Sequence, residues 1–300
     1  MRILVTGSNG FIGGHVCSWL KEKGHYVIGL GRHPQPLSRC DEYVCCDLFT
    51  DGVAHIFDHT KENTVDAVVH LAADMRHEPY AVEVVGSNCV GTQRLLELCE
   101  EKRIGVFVQL SSLPVIGSPV QHPVTEEHPL KPPTVYHVTK HTQELLANYA
   151  SYTFGLRTVS LRICSPVGYG VNPKTIFPVF VRKAMAGESI TLFGQGTRKQ
   201  TYIHVKDIAK AIELCILSEA QGVYNLASYN LISNRELAEK CVALLHSDSE
   251  IVYSGDVDPM EGLCWDVSIE KLKEDTGFEP EVTIDEAILD LASEIMKRDK

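Results

Sequence analysis

Tyr136 and Lys140 are the residues of this 300-residue chain whose types and spacing most directly indicate chemistry. If the segment is helical, side chains four residues apart share one face. An ammonium group beside a phenol favours the phenolate and lowers the tyrosine pKa from about 10 toward neutrality. Tyr136 would then be a general acid and base for interconverting an alcohol and a ketone. The same spacing also occurs between exposed residues, so the prediction needs support from the rest of the chain.

A glycine-rich turn near the start of the chain is the second such feature. It follows a short apolar run at 2–6 and opens a helical pattern at 11–23. Glycine lets the backbone turn sharply and approach a pyrophosphate, while a helix N-terminus offers unpaired amides to that anion. The spacing alone is weak evidence, but its place between a strand and a helix predicts dinucleotide binding. The expected cofactor contacts in this turn are Gly7, Asn9, Gly10, Phe11, Ile12 and Gly13.

The end of the second predicted strand bears on which dinucleotide binds. A carboxylate there would hydrogen-bond the ribose 2′-hydroxyl of NAD, whereas an arginine would accommodate the 2′-phosphate of NADP. Segment 30–33 reads Leu-Gly-Arg-His, without a carboxylate. Arg32 is therefore a predicted 2′-phosphate ligand, or else an exposed arginine on a turn; NADP is favoured and NAD is possible. Asp47, followed by Leu48, comes after the third strand and could hydrogen-bond the adenine amine or form a turn.

Short β-branched runs alternate with helical patterns through the first half of the chain. The strand-like runs lie at 2–6, 26–30, 43–45, 67–71 and 106–110, and the helical patterns at 11–23 and 81–102. This alternation is typical of βαβ units and predicts an α/β fold, with a parallel sheet covered by helices on both faces. Open sheets of this kind bind ligands beyond the carboxyl ends of their strands.

The second half of the chain opens with a long loop. Six of the fourteen prolines fall within 113–133, and so many missing amides cannot continue a helix or an inner strand. Thr134 can cap the next helix, which carries Tyr136 and Lys140 to about residue 150. Beyond Pro166 the pattern becomes irregular, which predicts a smaller substrate-binding region.

Composition and charge argue against several classes of protein. The net charge is −11, and the basic residues are scattered, so a nucleic-acid or anionic-membrane surface is not expected. No apolar run approaches the ~20 residues that span a bilayer, and no secretory signal pattern opens the chain, so we expect a cytoplasmic protein. The 10 cysteines include no C-x-x-C pair and no zinc-like spacing, which predicts reduced cysteines and no metal.

The order of the motifs along the chain is more specific than any one of them. After the glycine turn come Val69-His70-Leu71-Ala72-Ala73, Asn88-Cys89-Val90-Gly91-Thr92, Leu110-Ser111-Ser112, Tyr136-x-x-x-Lys140, Leu161-Arg162-x-x-x-Pro166 and Tyr202-Ile203-His204-Val205-x-Asp207-Ile208-Ala209. In content, order and spacing this series resembles the extended short-chain dehydrogenase/reductases, specifically the NAD-dependent epimerase/dehydratase family. The resemblance covers nearly the whole chain.

The resemblance implies a Rossmann-type doubly wound parallel sheet with a smaller C-terminal α/β substrate region. We expect the dinucleotide-binding domain to span 1–165, with 201–220 also packing against it. The substrate-binding region should then comprise 166–200 and 221–300. A homodimer formed through exposed helices, including the one that bears Tyr136, is usual in the family and is expected here.

The resemblance also implies roles for individual side chains. Ser112 would hydrogen-bond the reacting oxygen, Tyr136 would transfer its proton, and Lys140 would also hold the nicotinamide ribose. Further cofactor contacts are expected from Leu71, Ala72, Ala73, Asn88 and Pro166.

The residues after Ser112 bear on the reaction. Dehydratases of the family have Asp-Glu after the catalytic serine or threonine, whereas this chain has Leu113-Pro114, neither of which can transfer a proton. That leaves transient oxidation of a secondary alcohol, as in a nucleotide-sugar 4-epimerase, or a net reduction by an NADPH-dependent ketoreductase of a sugar or other small carbonyl compound. A non-catalytic dinucleotide sensor is a third alternative, which the complete set of Ser112, Tyr136 and Lys140 opposes.

The substrate contacts depart from the family pattern. Sugar-nucleotide epimerases commonly carry an asparagine where this chain has Ser165 and an arginine where it has Gln200. Losing a cationic, bidentate contact should weaken diphosphate binding. Arg198 could replace that contact, as could Lys174 or Arg182. The expected substrate is a nucleotide sugar, contacted by Ser112, Ser165, Arg198 and Gln200.

Overall fold

The computed structural model describes residues 1–53, 56–57, 64–76 and 82–298, and the description below is confined to them. The strands are β1 Arg2–Thr6, β2 Tyr26–Gly31, β3 Glu42–Cys45, β4 Ala67–His70, β5 Val106–Ser112, β6 Arg157–Ile163, β7 Ser165–Val167, β8 Ile190–Leu192, β9 Lys199–His204, β10 Gly222–Leu226, β11 Asn230–Ser233, β12 Ile251–Tyr253 and β13 Cys264–Trp265. The helices are α1 Phe11–Glu22, α2 Val82–Val85, α3 Gly91–Glu101, α4 Val135–Phe154, α5 Ile176–Ala186, α6 Val205–Leu217, α7 Asn234–Leu244, α8 Glu270–Thr276 and α9 Ile284–Arg298.

A seven-stranded parallel sheet forms the larger lobe. Its strand order is β10-β6-β5-β4-β1-β2-β3, so the chain first moves toward one edge and then, from β4, toward the other. The inner strands are almost entirely buried and most of their residues are apolar, as both faces are covered. The predicted doubly wound parallel sheet is confirmed.

Each face of this sheet packs against helices through their apolar sides. On one face, α1 and α6 contribute Val16, Leu20, Ile208 and Ile212 to a shared core. On the other, α3 supplies Leu95 and Leu98, and the end of α4 supplies Ala150. Helix α6 follows β9 of the smaller lobe directly, so it connects the two lobes.

The helical pattern predicted at 81–102 contains a π-helical segment, Gly86–Val90, between α2 and α3; residue 81 lies outside the described residues. A side chain at Gly86 would collide with the ring of Phe49, since a Cβ there would lie 2.6 Å from the ring's Cζ. The wider π turn includes Asn88, whose side chain is fully buried. Sequence periodicity alone predicted an uninterrupted helix.

The smaller lobe surrounds a separate core. Strands β11, β9 and β13 form one small sheet, to which β7 adds by pairing with β9, and β12 pairs with β8. Helices α5, α7 and α9 pack together around side chains such as Phe177, Leu237 and Ile288. The prediction that all of 221–300 belongs to the substrate-binding region is wrong for β10, which pairs in parallel with β6 and forms an edge of the large sheet. Helix α8 packs against β10 on that side.

Three further observations concern the described residues only. No helix there is both long enough and apolar enough to cross a bilayer. All ten cysteines lie within this part of the chain, and each is a free thiol. No group of three or more His, Cys, Asp or Glu side chains is arranged there to hold a metal ion.

Candidate active site

One large cavity, of about 1070 Å³, lies beyond the carboxyl ends of the parallel strands, where the two lobes meet. This is the position at which open parallel sheets bind their ligands. Every residue assigned to the site from sequence lines the cavity except Asn88; the lining members are Gly7, Asn9, Gly10, Phe11, Ile12, Gly13, Arg32, Asp47, Leu48, Leu71, Ala72, Ala73, Ser112, Tyr136, Lys140, Ser165, Pro166, Arg198 and Gln200. Their individual contacts with a ligand stay predictions.

The glycine turn forms a cradle with no room for side chains. Gly7 has φ +66°, and a Cβ there would lie 2.7 Å from the backbone nitrogen of Ala72. A Cβ on Gly13 would overlap the carbonyl oxygen of Gly7. Helix α1 begins at the turn with Gly10 as its N-cap and no side-chain cap bond, so its first amides are available to an anion. These features fit the pyrophosphate of a dinucleotide.

Tyr136 and Lys140 lie together on the first turns of α4. The helix begins after Thr134, whose hydroxyl accepts a hydrogen bond from the His137 amide. The Lys140 ammonium lies 5.9 Å from the centre of the Tyr136 ring and donates to the Leu110 carbonyl, 2.8 Å away. Lys140 is only 3% exposed, so its contacts are with the protein rather than with water.

Burial governs the protonation of both side chains. It raises the pKa of Tyr136 to about 12. It also lowers the pKa of Lys140 to about 8, although the charges of Glu144 and Cys89 oppose that shift. The prediction that Lys140 brings the pKa of Tyr136 toward neutrality is therefore wrong, because loss of hydration outweighs the nearby ammonium.

The two serines at the end of β5 have different surroundings. The hydroxyl of Ser111 donates to Glu144 Oε1 at 2.6 Å, and the residue is 3% exposed. Ser112 is half-buried and lines the cavity. Successive strand residues point to opposite sides, so Ser112 is directed away from the contacts that hold Ser111.

Asn88 lies behind the cavity rather than in its wall. Its amide group donates to the Asp74 carbonyl and to Thr139 Oγ1, each at 2.9 Å, and its carbonyl accepts from the Asp74 amide at 2.7 Å. The prediction of a direct cofactor contact at Asn88 is thus not supported by the structure. This side chain instead ties the loop after β4 to α4, beside Lys140.

At the end of the cavity predicted to hold the adenosine, the side chains of Asp47, Arg32 and Asn9 contact other residues of the protein. Asp47 Oδ1 accepts from the amides of Phe49 and Thr50, and Oδ2 lies 3.9 Å from Arg32 Nη1. The Arg32 side chain is 66% exposed. The Asn9 side chain bonds the backbone of Gln35 and Leu37, and so anchors the loop after β2.

Comparison with known proteins identifies the family. The sequence profile of the NAD dependent epimerase/dehydratase family matches residues 3–227. The chain belongs to this family. Membership makes it an NAD(P)-dependent enzyme of the extended short-chain dehydrogenase/reductase type, which removes the alternative of a non-catalytic sensor.

Individual members of the family resemble the chain along much or all of its length. It is 30% identical to a dTDP-glucose 4,6-dehydratase of Streptomyces niveus, covering 97% of this chain and 91% of the relative. It is 32% identical to an uncharacterized UDP-glucose epimerase, YtcB, of Bacillus subtilis, covering 71% of each. The structure of a dTDP-glucose 4,6-dehydratase from Bacillus anthracis in complex with NAD superimposes with a TM-score of 0.83 at 25% identity, covering 100% of this chain and 97% of that one.

The position of the family's dehydratase acids is apolar in this enzyme. Leu113 and Pro114 begin a short 3₁₀ turn, Leu113–Ile116, after Ser112, and Leu113 is 1% exposed. The carboxylates that line the described cavity are those of Asp47 and Asp74. Asp74 forms a bidentate ion pair with Arg76, which holds its pKa below the usual range.

The substrate end of the cavity combines a hydrogen-bonded floor with a cationic side chain. Ser165 Oγ donates to Gln200 Oε1 at 3.2 Å, and Gln200 Nε2 donates to the Tyr202 hydroxyl at 2.6 Å. Arg198 also lines this end, and its buried Nε has no hydrogen-bond partner among the described residues. Lys174 lines the cavity from the loop between β7 and α5.

A buried chain of polar side chains supports the site from below. The Thr6 hydroxyl accepts from the amides of Leu71 and Ala72, so its hydrogen is free to bond His70 Nδ1 at 2.7 Å. His70 Nε2 then donates to Thr92 Oγ1, 2.9 Å away. Burial lowers the pKa of His70 to about 3, so the imidazole is neutral and holds β4 in place rather than transferring protons.

Gly13→Ala tests the glycine cradle. Its methyl group would displace the Gly7 carbonyl, so we expect dinucleotide affinity to fall at least about tenfold, measured by isothermal titration calorimetry. Gly14→Ala is the matched control, because a Cβ there meets only the Ser8 carbonyl, at 3.8 Å. Dinucleotide binding that is equally strong in both variants would contradict the assigned role of the turn.

Proposed function

We propose that this enzyme epimerises a nucleotide sugar, at C4, by transient oxidation of a secondary alcohol. The observation that carries the proposal is the convergence of Ser112, Tyr136 and Lys140 on one cavity that also contains the glycine cradle. Those three side chains can supply a hydrogen bond to the reacting oxygen, a proton acceptor and a positive charge. The named relatives act on, or are named for, nucleoside diphosphate glucose.

Each side chain has a distinct part in the reaction. A bound nicotinamide supplies the hydride acceptor and donor. Ser112 Oγ holds the substrate oxygen, and Tyr136 Oη removes the hydroxyl proton as the alcohol becomes a ketone. Lys140 stabilises the phenolate that Tyr136 must form, which matters because burial alone raises the pKa of Tyr136 to about 12. Once the ketone has rotated, it accepts hydride at the opposite face of its carbonyl carbon. Tyr136 Oη returns the proton to the carbonyl oxygen, which completes the inversion.

Dehydration fits the described cavity less well. It requires an acid and a base beyond the proton transferred by Tyr136, and the positions after Ser112 are held by Leu113 and Pro114. The similarity to a dTDP-glucose 4,6-dehydratase therefore reflects the shared dinucleotide-binding domain and oxidation step in this proposal.

A ketoreductase of a sugar or another small carbonyl compound is the second candidate. It is favoured by Arg32, and by Gln200 in place of the expected diphosphate-binding arginine. The dinucleotide retained on purification distinguishes the two, since tightly held NAD favours internal recycling. A readily exchanged NADPH, oxidised in the presence of a ketone, favours net reduction.

Tyr136→Phe tests the proton transfer. Because general acid–base catalysis contributes about 10²- to 10⁴-fold, we expect turnover to fall at least about 100-fold. Dinucleotide affinity, measured by fluorescence titration, should stay near that of the unmodified enzyme. Tyr152→Phe is the control, since Tyr152 lies on the same helix but is 93% exposed. Full activity in Tyr136→Phe would remove this phenol from the mechanism.

We further propose that the enzyme prefers NADP, with NAD as the alternative. Arg32 lies at the end of β2, lines the cavity and has an exposed side chain that a 2′-phosphate could reach. Asp47, 3.9 Å away, partly neutralises it, and the similar Bacillus anthracis dehydratase holds NAD. These two observations are the reason that NAD is kept as the alternative to NADP.

Arg32→Ala decides between these dinucleotides. A lost charge-assisted hydrogen bond of ~1.5–3 kcal/mol corresponds to about a tenfold or larger fall in NADP affinity. The Kd for NAD should change little, because it has no 2′-phosphate. If the variant lowers both affinities equally, or neither, Arg32 does not read the 2′-phosphate.

Arg198 is the proposed contact for the substrate diphosphate. It lines the proposed substrate end of the cavity, and its buried Nε has no partner in the part of the chain that the structure describes. It is two residues upstream of the position where the family commonly has an arginine. Its guanidinium could replace the missing cationic contact from that position.

Arg198→Met should raise KM for a UDP-sugar about tenfold or more and change kcat much less, because the contact is present in both ground and transition states. Lys199→Met, at the exposed neighbouring position, is the control. An equal effect of both substitutions, or an effect on kcat alone, would argue against diphosphate binding by Arg198.

A homodimer and a cytoplasmic location complete the proposal. Helix α4 exposes Val138, Leu145 and Tyr149 on one side, and α2, which packs beside it, exposes Val82 and Val85. A second copy of the chain could bury this apolar surface, which sedimentation equilibrium would detect.

Ten free thiols in the described residues are consistent with a reducing compartment.

A further inference from the structure

A buried ion pair lies one helical turn beyond Lys140. Arg162, on β6, binds the Glu144 carboxylate through both ends of its guanidinium: Nε donates to Oε1 at 2.9 Å and Nη2 to Oε2 at 2.8 Å. The side chains are 5% and 2% exposed. The proposed reaction does not require either residue to touch a ligand.

This ion pair joins three elements that carry the catalytic residues. Glu144 is on α4 with Tyr136 and Lys140, and its Oε1 also accepts from Ser111 at 2.6 Å. Ser111 precedes Ser112 on β5 and pairs with Arg162 on β6 in the sheet register. The carboxylate therefore fixes the end of β5 relative to the helix.

The ion pair also determines part of the electrostatic surroundings of Lys140. Glu144 favours the ammonium form of Lys140, as does Cys89 on the π-helical segment. From β4, the neutral imidazole of His70 faces the same lysine, and Tyr136 contributes an uncharged phenol. Glu144 is itself ionised, because Arg162, Ser111 and His141, whose Nδ1 lies 3.3 Å from Glu144 Oε2, hold its pKa below the usual range despite burial.

Stability alone gives a weak reason for such an arrangement. Two buried charges lose much of their hydration, and a well-packed apolar pair of similar volume is often as stable or more so. We therefore expect the Glu144 carboxylate to act mainly on the protonation and the position of the side chains around it. The closest functional neighbour is Lys140, four residues earlier on the same helix.

We propose that Glu144, held by Arg162, is a positioning residue that keeps Lys140 in its ammonium form and aligns Ser112 with Tyr136. This inference rests on the proposed function, in which Lys140 must be charged to favour the Tyr136 phenolate. It assigns the Glu144 carboxylate a role transmitted through Lys140, without contact with substrate or cofactor.

The test follows the pH at which Lys140 loses its proton in the dinucleotide-free protein, by NMR of isotopically labelled lysine. Lys140→Met identifies the resonance. In Glu144→Gln the carboxylate is lost and the Arg162 charge stays, so the Lys140 pKa should fall by roughly half a unit or more. Glu144→Gln/Arg162→Met removes both charges and leaves no lone buried ion. Its Lys140 pKa should lie between those of the unmodified protein and Glu144→Gln.

Glu213→Gln is the matched control, because that carboxylate bonds Trp19 and His25 away from the cavity. It should leave the Lys140 titration unchanged. In the active enzyme, turnover should fall as the pH rises through the Lys140 pKa, and this limb should move to lower pH in the same order among the variants.

Two outcomes would overturn the inference: a double variant that titrates like the unmodified protein, or a titration moved equally by Glu213→Gln. The double variant decides the question even if Glu144→Gln does not fold. Because the NMR titration needs no activity, failure of the inference is distinct from failure of the proposed function. The latter would appear as full turnover in Tyr136→Phe.

Discussion

The partial burial of Tyr136 and the nearly complete burial of Lys140 are the constraint on which the site depends. Burial favours the neutral form of each group and moves their pKa values in opposite directions, to about 12 and about 8. A proton-transferring phenol needs the reverse: an accessible phenolate and a charged amine. The protein supplies part of the compensation through the Leu110 carbonyl and the Glu144 carboxylate.

The parallel sheet brings the other components to the same place. Because all seven strands run in one direction, the glycine turn after β1, the loop after β4 and Ser112 at the end of β5 meet at one edge. Helix α4 then returns along the sheet and places its first turns over that edge. The smaller lobe, built around β9, closes the cavity from the opposite side with Arg198 and Gln200. The glycine cradle and the Tyr136–Lys140 pair thus belong to the larger lobe, whereas Arg198 and Gln200 line the cavity from the smaller one.

The similarity to both a dehydratase and an epimerase has a structural explanation. The family match spans residues 3–227, which include the large sheet, the glycine turn and α4. In the proposed reaction, the outcome depends on a few cavity side chains, such as Leu113 and Pro114, that the fold does not constrain. Likewise, Gln200 bonds Ser165 and Tyr202 rather than presenting a cation.

Sequence alone determined the sheet, the glycine turn and the shared face of Tyr136 and Lys140, because strand alternation, turn chemistry and helix periodicity act over a few residues. The resemblance to the family also indicated which of the two adjacent serines, Ser111 and Ser112, is expected to contact the reacting oxygen. Only the tertiary structure decided that Asn88 supports the site from behind, that β10 completes the large sheet and that burial raises the pKa of Tyr136. The link between Glu144 and Arg162 was likewise invisible, although its place four residues after Lys140 was a usable signal. These properties depend on side chains that are distant in sequence and on exclusion of water, which no local pattern encodes.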